Sequence, residues 1–235
     1  GCHATPMDLY MADFGGLHLP PAQRKNFRKI CYFLGVMLNA DGKRFVDEGK
    51  DFRNYTYAQF GRAVLDQPGH FAWQIFDAKV APLLYDEYRF DETHFVEADS
   101  LKGLCEQLDG VDADAALETL TKFNDAVDPV TPFDPTVRDG KAAKGLDVPR
   151  SNWAQVLETP PFRAYPVTGG ITFTYGGVAV SDRGAVLDGA NTEIPGLFAC
   201  GEMVGGVFFE GYPGGSGLTS GAVFGRLAGT HAASI

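Results

Sequence analysis

Apolar residues recur at helical spacing through "NYTYAQFGRAVLDQ" (54–67) and stop before Pro68-Gly69, so this stretch predicts a helix. "HFAWQIFD" (70–77) alternates and is rich in aromatic and β-branched residues, which predicts a strand. Asp77 is placed to cap a following helix through "AKVAPLLYDEY", where Pro82 is tolerable only in the first turn. Ser100 is a candidate N-cap for a helix through "LKGLCEQL". Asp112 opens another that carries Leu117, Leu120, Phe123 and Val127 on one face. Further upstream, "PAQRKNFRKI" (21–30) reads as a short basic helix and "YFLGVMLN" (32–39) as a buried strand turned by "ADGKR".

Periodicity then fails. Residues 128–150 hold Pro129, Pro132, Pro135 and Pro149 with "DGKAAKG", a long irregular loop of the kind that is either functional or mobile. From about residue 166 the texture becomes that of short strands, with a hairpin at "SDRG" and a buried strand in "IPGLFACGE". "GSGLTSGAVFGRLAGTHAA" then reads as a helix of small residues. The mixture predicts an α+β fold in two parts, residues 1–165 and 166–235.

Composition narrows the function classes. With 235 residues and 45% hydrophobic content, the chain can bury a core. No apolar run approaches the roughly eighteen residues of a spanning helix, and "GCHATPMDLY" lacks the regions of a signal peptide, so a cytoplasmic protein without a transmembrane segment is expected. A formal net charge of −10 argues against nucleic acid. Cys2, Cys31, Cys105 and Cys200 lie far apart with no C-x-x-C, and the histidines are equally dispersed, so neither a disulfide framework nor a metal site is expected.

The chemistry concentrates in "FFEGYPGGSGLTSG" (208–221). Its spacing, Gly215-x-Gly217-x-x-x-Gly221, misses the dinucleotide fingerprint, and no Gly-Lys-Ser/Thr makes it a phosphate loop. What remains is a strand, a glycine-rich excursion and a helix N-terminus with free N–H groups. That suits an anion or an acceptor-rich planar ring, or else a tight turn with close helix packing.

"IPGLFACGEMVGGVFFEGYPGGSGLTSGAVFGRLAG" resembles the C-terminal FAD-binding signature of the succinate dehydrogenase/fumarate reductase flavoprotein superfamily. "GKRFVDEGKDFRNYTYAQFGRAVLDQPG", "AWQIFD", "SNWAQ" and "YPVTGGITFTYGG" resemble, within it, the FAD-dependent tricarballylate dehydrogenases. The resemblance implies the C-terminal half of a longer flavoprotein: a capping, substrate-binding domain over 1–165 and the last segment of the FAD domain over 166–235. It implies oxidation of a polycarboxylate, tricarballylate to cis-aconitate, by hydride transfer to FAD, with electrons passed to a partner protein or quinone. A fumarate reductase-like or 3-ketosteroid dehydrogenase-like enzyme is the alternative. So is an inactive cap or interaction module, since the chain alone, without the dinucleotide fold, is expected to hold no FAD.

Residue by residue, the resemblance assigns Gly201, Glu202, Gly215, Ser216, Gly217 and Leu218 to the cofactor, with Glu202 at its hydroxyls and the Gly217 and Leu218 N–H groups at the flavin's pyrimidine edge, against a plain exposed loop acid for Glu202. It assigns Arg53 to a substrate carboxylate first and proton transfer second, because a guanidinium stays charged at ordinary pH. A helix-start surface charge is the other reading. His3 falls where the superfamily faces the substrate, or is simply exposed near the chain start. Tyr212 stands where fumarate reductases carry an arginine, and Thr172-Phe173 where they carry a histidine pair. Arg28 and Cys31 occupy the place of an acid-plus-arginine relay. Tyr212 thereby resembles the substrate-orienting tyrosine of ketosteroid dehydrogenases, or serves in packing.

Overall fold

A computed structural model describes residues 2–6, 29–91, 93–171, 174–209 and 211–234. The chain divides into two compact units, the first ending at Gly170 and the second running from Ile171. The sequence boundary at 165/166 falls inside a strand that the first unit largely owns.

The first unit is built on a five-stranded sheet. Its strands are β1 (Cys2–Pro6), β2 (Val36–Leu38), β3 (Phe71–Phe76), β4 (Val96–Ala98) and β5 (Phe162–Ile171). The order is β1-β5-β3-β2, with β4 also on β5. Antiparallel registers pair Val36 with Ile75, Phe71 with Thr168 and Val96 with Ala164.

Every residue of β3 is buried because the sheet is covered on both faces. On one face Val36, Leu38, Phe71, Trp73 and Ile75 meet Leu104, Ala116, Leu120 and Phe123, from helices α2 (Leu101–Cys105) and α3 (Ala113–Ala126). On the other, Met37, Ala72 and Val167 meet Phe60 and Val64 of helix α1 (Arg53–Leu65). Ser100 and Asp112 cap α2 and α3 through the Gly103 and Ala115 N–H groups, as their sequence predicts.

Two expectations change. Asp77 caps through the Lys79 N–H, but "AKVAPLLYDEY" forms two short 3₁₀ turns, Ala78–Leu83 and Asp86–Tyr88, with Pro82 inside the first. "YFLGVMLN" opens as a 3₁₀ turn, Tyr32–Leu34, and only Val36–Leu38 is strand. Positions 21–28 of the predicted basic helix lie outside the described residues.

The irregular 128–150 segment is pinned by cations. Lys141 Nζ donates to Asp128 O at 2.6 Å. The wholly buried Arg150 donates to Gly35 O at 2.8 Å, Asn152 O at 2.7 Å, Trp153 O at 3.1 Å and Glu48 Oε2 at 3.1 Å. Glu48 also pairs with Arg44 and accepts the Met37 N–H, and Arg44 reaches Val148 O at 2.6 Å. Burial alone would raise the Glu48 carboxyl, but Arg44 and Arg150 hold it below its ordinary range. Charges thus tie the loop to β2 across more than a hundred residues.

The second unit pairs β6 (Ala185–Leu187) with β7 (Glu193–Phe198), and ends in α4 (Ser216–Ala232), as the small-residue run predicts. The "SDRG" turn forms, with Gly184 at φ +78°. Its buried cluster is small: Val186, Ala199 and Val204, with Val180 and Phe224 against it. The predicted burial of "IPGLFACGE" does not occur in β7, where Ile194 and Leu197 are exposed. Among the described residues β7 has β6 as its one strand neighbour, and little covers its apolar side chains. No helix of the described residues is long and apolar enough to cross a membrane, and no group of three or more His, Cys, Asp or Glu among them could hold a metal ion.

Candidate functional site

In the second unit the glycine-rich stretch becomes an open helix end. Gly215 is in the left-handed region (φ 81°, ψ −10°) and turns the chain into α4 without a side-chain cap. Ser216 does not cap either, since both its N–H and its hydroxyl donate to Pro213 O, at 3.1 and 2.6 Å. After Ser216 the next bonded amide in the helix is that of Thr219, to Gly215 O. Among the described residues the Gly217 and Leu218 N–H groups therefore have no acceptor, and they sit at the positive end of a 17-residue helix. Cβ atoms added at Gly214, Gly215 or Gly217 would meet nothing within 4 Å, and the Leu218 side chain is 85% exposed.

A carboxylate lies on the turn against this helix. Gly201–Met203 is a 3₁₀ turn, Gly201 is left-handed at φ 76°, and a Cβ at Gly221 of α4 would come 3.7 Å from the Gly201 Cα. Glu202, exposed on that turn, accepts the Thr174 N–H at 2.8 Å through Oε1. Its Oε2 has no hydrogen bond among the described residues. Tyr212 stands just before the helix in a triangle with Tyr175 and Phe208, the ring centroids 5.9–6.0 Å apart. Thr172 and Phe173 lie outside the described residues.

In the first unit Arg53 is the first residue of α1, whose N-cap, Phe52, makes no side-chain capping bond. Its guanidinium lies over the Tyr85 ring, Cζ 4.7 Å from the centroid. Arg44 and Arg150 are buried against Glu48, and the half-buried Arg163 pairs with Glu97. Half-buried Arg53 has neither an ion pair nor a hydrogen bond from its side chain among the described residues. That is a costly way to leave a cation at the positive end of a helix unless an anion arrives. His3 lies on β1, and its side chain is outside the described residues. Cys31, in the place of the expected relay, is buried, and burial pushes its thiol up to about 11, so it is a poor proton carrier near neutral pH.

Two unbonded amides at a helix N-terminus, glycines that leave space above them and a carboxylate on a turn that packs against the same helix fit a ligand with both an acceptor-rich edge and hydroxyl groups. The chain belongs to the FAD binding domain family, which it matches over residues 16–218. It is 33% identical over 201 residues to the probable fumarate reductase Ifc3 of Shewanella frigidimarina (strain NCIMB 400), covering 84% of this chain and 31% of that protein. Its fold matches the open conformation of a flavocytochrome c3 fumarate reductase with a TM-score of 0.62 at 30% identity, over 86% of this chain and 33% of that one. It also matches the 3-ketosteroid Δ1-dehydrogenase of Sterolibacterium denitrificans with a TM-score of 0.63, over 93% and 42%, where 24% identity speaks to the fold alone. The chain spans about a third of the length of the curated fumarate reductase it matches.

The donor set fits FAD: Gly217 and Leu218 N–H for its ring acceptors, and Glu202 for its hydroxyls. Sequence reasoning singled out all three. It missed Tyr85, which no motif marks, and the partners of Tyr212, which lie about 4 and 37 residues away in the chain.

Proposed function

We propose that this chain is part of an FAD-dependent oxidoreductase that removes two hydrogens from a CH–CH unit of a polycarboxylate, tricarballylate to cis-aconitate in type. In this reading residues 1–165 are the capping, substrate-binding domain and residues 166–235 the C-terminal segment of the FAD domain. The observation that carries it is Arg53: a half-buried guanidinium whose donors meet no acceptor among the described residues suits a carboxylate, which accepts from the Arg fork in bidentate fashion. When bound, FAD supplies the acceptor for a hydride from one substrate carbon. The chain's own residues do the rest. Arg53 holds and orients a carboxylate first and serves proton transfer second, His3 faces the substrate, and Tyr212 orients it. Gly201, Glu202 and the Gly215–Leu218 segment, through its Gly217 and Leu218 amides, hold the cofactor. A partner protein or quinone receives the electrons.

A second reading, oxidation of a ring ketone, is favoured by the Tyr175–Phe208–Tyr212 triangle, an apolar wall where a dicarboxylate site needs cations. Anaerobic mixing of the flavin-loaded full-length protein with each substrate decides. Bleaching of the flavin by tricarballylate is expected; bleaching by a ketosteroid alone would transfer the proposal to the second reading.

A further inference from the structure

We propose that Tyr85 is a positioning residue that aims the Arg53 guanidinium, an inference that rests on reading Arg53 as the carboxylate clamp. The Arg53 guanidinium lies over the Tyr85 ring, Cζ 4.7 Å from its centroid. An aromatic face holds a guanidinium through the ring quadrupole and leaves its edge-on N–H donors open. A carboxylate partner would fix Arg53 as well, but it would occupy the fork and cancel the charge that a substrate must find. The pairing with a ring is therefore the arrangement that both fixes and spares the clamp.

Both partners are referenced to one buried dipeptide, Cys31-Tyr32. Tyr85 packs against the buried cluster that holds Cys31. The Cys31 N–H donates to Tyr88 Oη at 2.9 Å, and that hydroxyl donates to Gln74 Oε1 on β3 at 2.6 Å. The Tyr88 N–H donates back to Tyr85 O at 3.0 Å, so the turn carrying the ring is fastened to the sheet. On the other side, Tyr32 Oη and Thr56 Oγ1 are 2.7 Å apart, and Thr56 lies in the turn of α1 that Arg53 begins. Ring and guanidinium are thus set from adjacent residues of one segment, and a shift of either relative to the other is resisted by buried hydrogen bonds. Tyr85 contributes to substrate binding without touching substrate.

The test uses Tyr85→Phe, which keeps the ring, and Tyr85→Leu, which removes it. In the wild-type protein the Arg53 Nε–H proton resonance, identified by its loss in Arg53→Lys, is expected upfield from the ring current. It should stay there in Tyr85→Phe and move to the free-arginine position in Tyr85→Leu. In the flavin-loaded full-length protein, Tyr85→Leu should raise the KM for tricarballylate by about threefold to thirtyfold, the affinity range of a cation–π contact, with kcat within about twofold and Tyr85→Phe near wild type. An unshifted Arg53 resonance in the wild type overturns the proposal even if the Leu variant does not fold. So does a Leu variant that loses the shift and keeps the wild-type KM. If wild type binds no tricarballylate while the shift is present and ring-dependent, the carboxylate reading fails and the aiming of Arg53 by Tyr85 is supported.

Discussion

Arg150 and Arg53 belong to the same unit and differ in what their guanidinium groups meet. Arg150 is wholly buried, with Glu48 and the carbonyls of Gly35, Asn152 and Trp153 around it. Arg53 is half-buried at an uncapped helix start, on a ring, with no anion among the described residues. The first holds the end of the 128–150 loop to Gly35 and, through Glu48, to β2. The second donates to no acceptor among the described residues. A saturated cation is structure, and on the proposed function the one without an acceptor among the described residues is a carboxylate site, so the pair should separate cleanly under mutation.

The largest effect belongs to the saturated member. Arg150→Met removes one of the two guanidinium partners of Glu48 and leaves several buried carbonyls without their donor, and should cost the first unit about 3–5 kcal/mol in urea unfolding. A loss below about 1 kcal/mol would mean that the network is dispensable. Next comes acid. Because Glu48 is held below its ordinary 4.5 in the folded unit, its contribution is fully present above that pH and is lost as pH falls through the folded value. The urea midpoint should therefore drop as pH is lowered below 4.5, and Glu48→Gln should flatten that slope.

Smaller effects sit at the helix end of the second unit. Gly215→Ala forces a left-handed alanine and should cost about 1–2 kcal/mol, seen as a lower thermal midpoint. Gly217→Ala meets no protein atom within 4 Å and should leave the fold intact, yet it places a methyl group over the open amides. Weaker FAD retention in the full-length protein with an unchanged midpoint is the expected outcome, and unchanged retention would argue for a plain tight turn. Smallest of all, Arg53→Met should stay within about 1 kcal/mol of wild type, since loss of the ring contact is offset by removal of a cation from a helix N-terminus.

Local signals were legible. The apolar spacing of 54–67 gives α1, "FAWQIF" gives β3, and Ser100, Asp77 and Asp112 cap where they stand, because each depends on neighbours a few residues away. What depends on distant partners was not. Pro82 leaves 78–88 as two turns held by tertiary packing of Val80, Leu84 and Tyr88. The apolar run of β7 says that a strand wants cover, not that cover is present. The order of the 128–150 loop depends on Arg150 reaching residues more than a hundred positions away. At the candidate site the glycines, Glu202 and Arg53 stood out by their motifs, whereas Tyr85 acquires meaning only when the fold lays it under a residue 32 positions earlier.

The central claim is that Arg53 is open because a substrate carboxylate closes it. Its most direct test is the Kd of tricarballylate for the flavin-loaded full-length protein, measured by calorimetry for wild type and Arg53→Met at equal thermal midpoint. The account predicts a loss of about 30-fold or more, the scale of removing one partner from a hydrogen-bonded charge pair. An unchanged Kd would contradict it.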